Sequence, residues 1–149
     1  MPVKIFIDTN VFIYAFEFPT SNSGIIIERL NKGELQAVVS ELVVLEVMRY
    51  FKKYYGKDLA SKFRNYIIQS CKIMLKTEIV DHIKTLKGAI KDKDIDHLAT
   101  VRALGLKYLV SYDEDFLGQE EYITPKDFVK DGMEMQEVRI LMFKVGFEL

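Results

Sequence analysis

Four carboxylates stand where a fold could bring them together: Asp8, Glu46, Asp94 and Asp113. Asp8 ends the apolar run "VKIFI" (3–7) and opens the polar trio Asp8, Thr9, Asn10 before apolar residues resume. Asp113 follows "KYLVSY" (107–112), with Asp115 two residues on. Glu46 lies inside "LVVLEVM", an apolar helical stretch in which a lone carboxylate is costly and calls for a partner or a cation. Asp94 opens "DIDHLATV", with Asp92 before it and Asp96 after it. Four such groups in one place would repel one another and raise each other's pKa unless a cation sat among them. Hard oxygen ligands suit Mg²⁺ or Mn²⁺. Those ions bind phosphate oxygens and lower the pKa of bound water, so the chemistry indicated is metal-dependent hydrolysis of a phosphodiester.

Each acid also has a plainer reading. Asp8 and Asp113 could be turn residues. Asp94 could cap a helix, and Glu46 could reach solvent from the edge of an apolar stripe. The weight lies in all four occurring at places that can meet.

The elements that would position them alternate in type. "VKIFI" (3–7), "LQAVVS" (35–40), "KIML" (72–75) and "KYLVSY" (107–112) read as buried strands. Helical spacing covers 23–33, 41–56, 57–71, 77–88 and 94–105, with 41–56 and 57–71 packed as a hairpin. Gly33, Gly56 and Gly105 serve as stops and Thr77 as an N-cap. Alternation of strand and helix predicts a parallel sheet covered on both faces. In such a sheet ligands bind beyond the carboxyl ends of the strands, which is where Asp8 and Asp113 fall.

The chain has 149 residues, 49% hydrophobic and 29% charged, enough for one domain with a sizeable core. A net charge of −1 advertises no polyanion partner, so any nucleic-acid role must rest on a local basic patch. The single cysteine, Cys71, excludes an internal disulfide. With no secretory pattern and no apolar stretch of membrane length, the expected location is cytoplasmic. The tail beyond 130 differs from the rest. Leu141, Phe143, Val145, Phe147 and Leu149 alternate with Ile140, Met142, Lys144, Gly146 and Glu148, which suggests a strand or a dimer contact. We therefore expect a main domain over 1–130 and a C-terminal extension of it over 131–149.

Residues 3 to 128 resemble the PIN-domain ribonucleases, the family that includes VapC-type toxins. The resemblance is carried by "FIDTNVFIYA" (6–15), "SELVVLEVMRYF" (40–51), "DIDHLATVRALGLKYLVSYDEDF" (94–116) and "ITPKDF" (123–128). It implies a three-layer α/β/α fold with a parallel sheet of four to five strands. It also implies an acidic Mg²⁺ or Mn²⁺ site that cuts single-stranded RNA, a homodimer and an antitoxin partner. Asp8 matches the acid that holds the metal directly, Glu46 the glutamate on the second helix, Asp94 the helix-borne aspartate and Asp113 the aspartate after the fourth strand. The implied metal ligands are Asp8, Asp94 and Asp113. Thr9, Asn10 and Ser111 match polar residues that orient the acids, with serine at 111 where the family often has threonine. Asp96 and Asp115 are supporting candidates, although Asp96 and Asp94 point to different helix faces. His97 reads as a helix-surface residue at the edge of the site.

For the substrate, "RYFKKYYGKDLASKFR" (49–64) carries six basic residues against one acidic, with aromatics interleaved. Arg49, Lys52 and Lys53 lie roughly 5–11 Å beyond Glu46 along the helix axis. They are the expected RNA-binding flank, since RNA needs cations for its backbone and flat rings for its bases. Three other readings compete. A haloacid-dehalogenase-type phosphatase needs a second acid two residues after the first, where this chain has Asn10. A receiver-like signalling domain gives Glu46 no role. A PIN fold that only binds RNA or protein would not need the full acid set.

Overall fold

The computed structural model describes residues 2–131. Five parallel strands form one sheet: β1 (Val3–Ile7), β2 (Leu35–Ser40), β3 (Cys71–Met74), β4 (Leu109–Val110) and β5 (Tyr122–Ile123). Their order across the sheet is β3-β2-β1-β4-β5, so the chain winds outward from β1 in both directions. Six helices connect them: α1 (Thr9–Glu17), α2 (Asn22–Asn31), α3 (Glu41–Tyr55), α4 (Lys57–Ser70), α5 (Val80–Leu86) and α6 (Asp92–Leu104). A further helical segment over 125–131 starts at Pro125, where Thr124 Oγ1 accepts from the Asp127 N–H at 3.2 Å. This is the expected three-layer α/β/α architecture, with β5 added at one edge. The extension expected beyond 131, and with it the strand or dimer contact, lies outside the described residues.

β1 is central because it can bury both faces. Ile5, Phe6 and Ile7 are fully buried, and the strand pairs in register with β2 (Val3 with Leu35) and with β4 (Ile7 with Val110). Its far end cannot continue as strand, since Asp8 caps the next helix, accepting the Thr9 N–H at 2.7 Å. β2 ends in the same way. Ser40 accepts the Val43 N–H at 3.3 Å and starts α3. Two neighbouring strands thus each give way to a helix at the same edge, with a polar side chain at each junction.

The α3–α4 hairpin forms as expected, turning at Gly56, whose φ of 97° favours glycine. Its core is aromatic. Phe51 and Phe63 stack with ring centres 4.1 Å apart, and Phe16 of α1 meets both edge-on. Phe51 is wholly buried. Phe51→Ala should therefore cost about 3–5 kcal/mol of unfolding free energy, read by urea denaturation. A loss below about 1 kcal/mol would mean that the hairpin is not packed this way. Gly24 in α2 is required by close approach, because a Cβ there would lie 1.9 Å from the Pro19 carbonyl oxygen.

Three local expectations are corrected. Thr77 does not cap a helix; it sits in a 3-10 turn (Lys76–Glu78), and α5 begins only at Val80. α6 begins at Asp92, not Asp94, so Asp94 lies inside its first turn and is no cap. α1 and β5 form where no helix or strand was expected.

Candidate active site

Asp8 is the centre of the site. It is 5% exposed, and its carboxylate is held from several sides. Oδ1 accepts from the Thr9 N–H at 2.7 Å, and Oδ2 accepts from Ser111 Oγ at 2.6 Å and from Asn10 Nδ2 at 3.5 Å. Burial pushes its pKa up, while His97, Ser111 and Thr9 pull against that rise. Ser111 is a hub. Besides donating to Asp8, its Oγ accepts from Asn10 Nδ2 at 3.3 Å and from the Asp113 N–H at 2.9 Å. β1 and β4 are thereby locked together just past their carboxyl ends.

Glu46 reaches the site from α3. Its Oε1 accepts from Thr9 Oγ1 at 2.9 Å and from His97 Nε2 at 3.0 Å. Partial burial would raise its pKa, but the hydrogen bond and charge of His97, with the Thr9 hydroxyl, outweigh that and hold it below the ordinary value. The carboxylate in the apolar helix therefore has partners, and it is half-buried rather than sealed in.

His97 is not the helix-surface residue that its position in the sequence suggests. It is 2% exposed. Nε2 donates to Glu46 and lies 3.4 Å from Asp8 Oδ1, while Nδ1 is 2.9 Å from Ser40 Oγ. Burial alone would lower the imidazole pKa, but Glu46 and Asp8 raise it above the ordinary value. α6 is buried on most of its circumference, from Asp94 and Ile95 through His97 to Val101, so position 97 had no solvent face to occupy. Ser40 was not singled out either. The signal available for it was its place at a strand end before a helix.

The remaining acids form a second group. One carboxylate oxygen from each of Asp94, Asp113 and Asp115 lies within 4.8 Å of the others. Asp8, Glu46 and His97 satisfy the same condition among themselves. The four expected acids thus fall into two adjacent groups. His97 links them electrostatically, since it acts on Asp94 as well as on Asp8 and Glu46. Asp113 caps the short turn that follows, accepting the Asp115 N–H at 2.9 Å. Asp94 is 3% exposed, and its Oδ2 is buried without a hydrogen-bond partner. Burial and the Asp113 charge push its carboxyl up to about 6. Asp115 joins this group, whereas Asp96 belongs to neither; its backbone carbonyl accepts from Thr100 Oγ1 at 2.8 Å.

A buried carboxylate oxygen that has no hydrogen bond and faces further carboxylates is an environment that a hard divalent cation satisfies. The donor set fits Mg²⁺ or Mn²⁺, with oxygens in the majority and one imidazole.

Arg49, Lys52 and Lys53 are all exposed on α3, and the Arg49 charge helps to hold the Glu46 pKa down. Lys53 Nζ lies over the Tyr54 ring at 5.2 Å. The aromatics of this stretch divide between roles. Phe51 is in the core, while Tyr50 and Tyr55 both donate to Glu17 Oε2, at 2.8 and 2.9 Å.

The fold is a parallel α/β/α sandwich with carboxylates gathered past the ends of β1 and β4. The PIN-domain family model matches residues 5–119, and the chain belongs to that family, a family of nucleases. Membership removes the dehalogenase and receiver readings. Among solved structures the chain is similar to one from a toxin–antitoxin complex of Klebsiella pneumoniae, at 23% identity and a TM-score of 0.63, covering 81% of this chain and 97% of that one. It is also similar to a chain of DNA-bound VapBC from Salmonella typhimurium, at 14% identity and a TM-score of 0.66, covering 83% and 98%. A third is Mycobacterium tuberculosis VapC20, a sarcin-ricin loop cleaving toxin, at 16% identity and a TM-score of 0.57, covering 76% and 93%. At these identities the likeness establishes the VapC-type fold. No curated protein matches the sequence.

Proposed function

We propose that this protein is a metal-dependent endoribonuclease that hydrolyses phosphodiester bonds of single-stranded RNA, and that it is the cytoplasmic toxin of a toxin–antitoxin pair. The observation that carries the enzymatic part is the buried Asp94 Oδ2, which has no hydrogen bond and only a 3.8 Å contact to Lys93 Nζ, within a set of carboxylates at the strand ends. Asp94 and Asp113, with Asp115 beside them and Asp8 in the adjacent group, would hold Mg²⁺ or Mn²⁺, which would supply charge stabilisation at the phosphate and a more acidic water. The chain's own residues do the positioning. Ser111, Thr9 and Asn10 fix the Asp8 carboxylate, so its oxygens need not reorganise on binding. Thr9 and His97 clamp Glu46 on one oxygen and leave the other free to accept from a water.

The likeness to chains from toxin–antitoxin complexes supports the pairing. A cleft of about 550 Å³ between α1, α2 and α4, lined by Phe12, Phe16, Ile27, Leu59 and Phe63, is apolar enough to seat part of a partner protein. Among the described residues no helix is long and apolar enough to cross a membrane.

The test is incubation of the purified protein with labelled single-stranded RNAs in Mg²⁺, in Mn²⁺ and in EDTA. Cleavage in either metal and none in EDTA is expected. Binding without cleavage of any RNA would favour a non-catalytic PIN module. For the substrate flank we propose Arg49, Lys52 and Lys53. The triple alanine variant should bind RNA roughly 10- to 100-fold more weakly at low salt, and its salt slope should flatten by roughly 2. An unchanged slope would move the binding surface elsewhere.

A further inference from the structure

Lys93 sits over the second acid group. Its Nζ lies 3.1 Å from Asp113 Oδ2, 3.0 Å from Asp115 Oδ2 and 3.8 Å from Asp94 Oδ2. Three carboxylates thus converge on one ammonium, and the most buried of them, Asp94, gains from it only a long contact and no hydrogen bond. Lys91 is arranged differently, pairing with Asp115 through Oδ1 at 3.0 Å. The Lys93 side chain is 59% exposed on an unbranched stem, so it can swing into solvent without moving the backbone.

We propose that Lys93 is a resident counter-cation, and that a divalent ion loads this group by displacing its ammonium. The inference rests on the metal-dependent reading above. An ammonium and a metal ion need the same oxygens, and both cannot occupy the space between them. The ion has twice the charge and approaches oxygens at ~2.1 Å, against ~3 Å for an ammonium nitrogen. The ammonium has the advantage of being tethered, so it is always present at high effective concentration. Lys93 would then keep the three carboxylates together in the metal-free protein and set the metal concentration at which the site fills.

Calorimetric titration with Mn²⁺ separates the outcomes, using the wild type, Lys93→Met, Lys93→Gln, Lys93→Arg and Lys91→Met. Lys93→Met and Lys93→Gln should bind Mn²⁺ about three- to tenfold more tightly than the wild type. Both should melt lower than the wild type in EDTA and recover in Mn²⁺. Lys93→Arg should stay close to the wild type, and Lys91→Met should move less than either neutral variant at 93. If the wild type binds Mn²⁺ and the neutral variants bind it equally or more weakly, Lys93 does not compete with the ion and the proposal fails. If no protein in the set binds Mn²⁺, the metal-dependent reading itself falls, and displacement with it.

Discussion

Asp8→Asn should abolish RNA cleavage, lowering the rate by on the order of 10³-fold or more, equivalent to about 4 kcal/mol of transition-state stabilisation. The substitution is nearly isosteric. The amide oxygen can still accept the Thr9 N–H, but Nδ2 cannot accept from Ser111 Oγ or Asn10 Nδ2 as the carboxylate does, so the fold of the variant has to be measured beside its activity. What disappears is the negative charge at a position 5% exposed, where no water can replace it. The measurement is single-turnover cleavage at saturating Mn²⁺, with circular dichroism to show that the variant is folded. A folded variant that retains a tenth of the wild-type rate would remove Asp8 from the chemistry.

Asp94→Asn should trade metal binding for stability. In the folded, metal-free protein the Asp94 carboxyl is pushed up to about 6 from 3.8, first by burial and then by the Asp113 charge. The folded form therefore holds a proton that the unfolded chain has released across that interval. Its contribution is fully present below pH 3.8 and is lost as pH rises through about 6. The wild type should thus lose more stability than Asp94→Asn between about pH 4 and pH 7 in EDTA. At pH 8 the variant should melt above the wild type, by about 2–4 °C for each kcal/mol recovered. Saturating Mn²⁺ should reverse the order, since a ligand at 100 times its Kd adds about 2.7 kcal/mol to a protein that binds it and nothing to one that does not. Parallel pH profiles for the two proteins in EDTA would show that the Asp94 carboxylate is not strained in the fold.

Much of this arrangement was legible in the sequence because strand ends announce themselves. A β-branched apolar run that stops at a carboxylate marks both the buried strand and the edge at which ligands bind. That reasoning placed Asp8 after β1 and Asp113 after β4, and helical spacing placed Glu46 on α3. The misses also have physical causes. α1 is hard to read from the sequence because "FIYAFEF" is rich in aromatic residues. Those favour strands, and here the helix is imposed by the Asp8 cap and by packing against α2 and α3. β5 is two residues long, too short to show a period. His97 went unrecognised because its partners, Ser40 and Glu46, are 57 and 51 residues away in the chain. The position of Lys93 over the acids depends in the same way on side chains 20 and 22 residues distant, and no local pattern encodes it.

In the proposed mechanism carboxylate-bound metal, and not the His97–Glu46 pair acting alone, drives attack by water on the RNA backbone. The ends of the products test it most directly. Cleavage of a labelled single-stranded RNA in Mn²⁺ should leave a 3′-hydroxyl and a 5′-phosphate, because water attacks phosphorus in line with the departing 3′-oxygen, and EDTA should stop the reaction. A 2′,3′-cyclic phosphate that forms equally well in EDTA would mean that the RNA's own 2′-hydroxyl is the nucleophile and that no metal-activated water takes part.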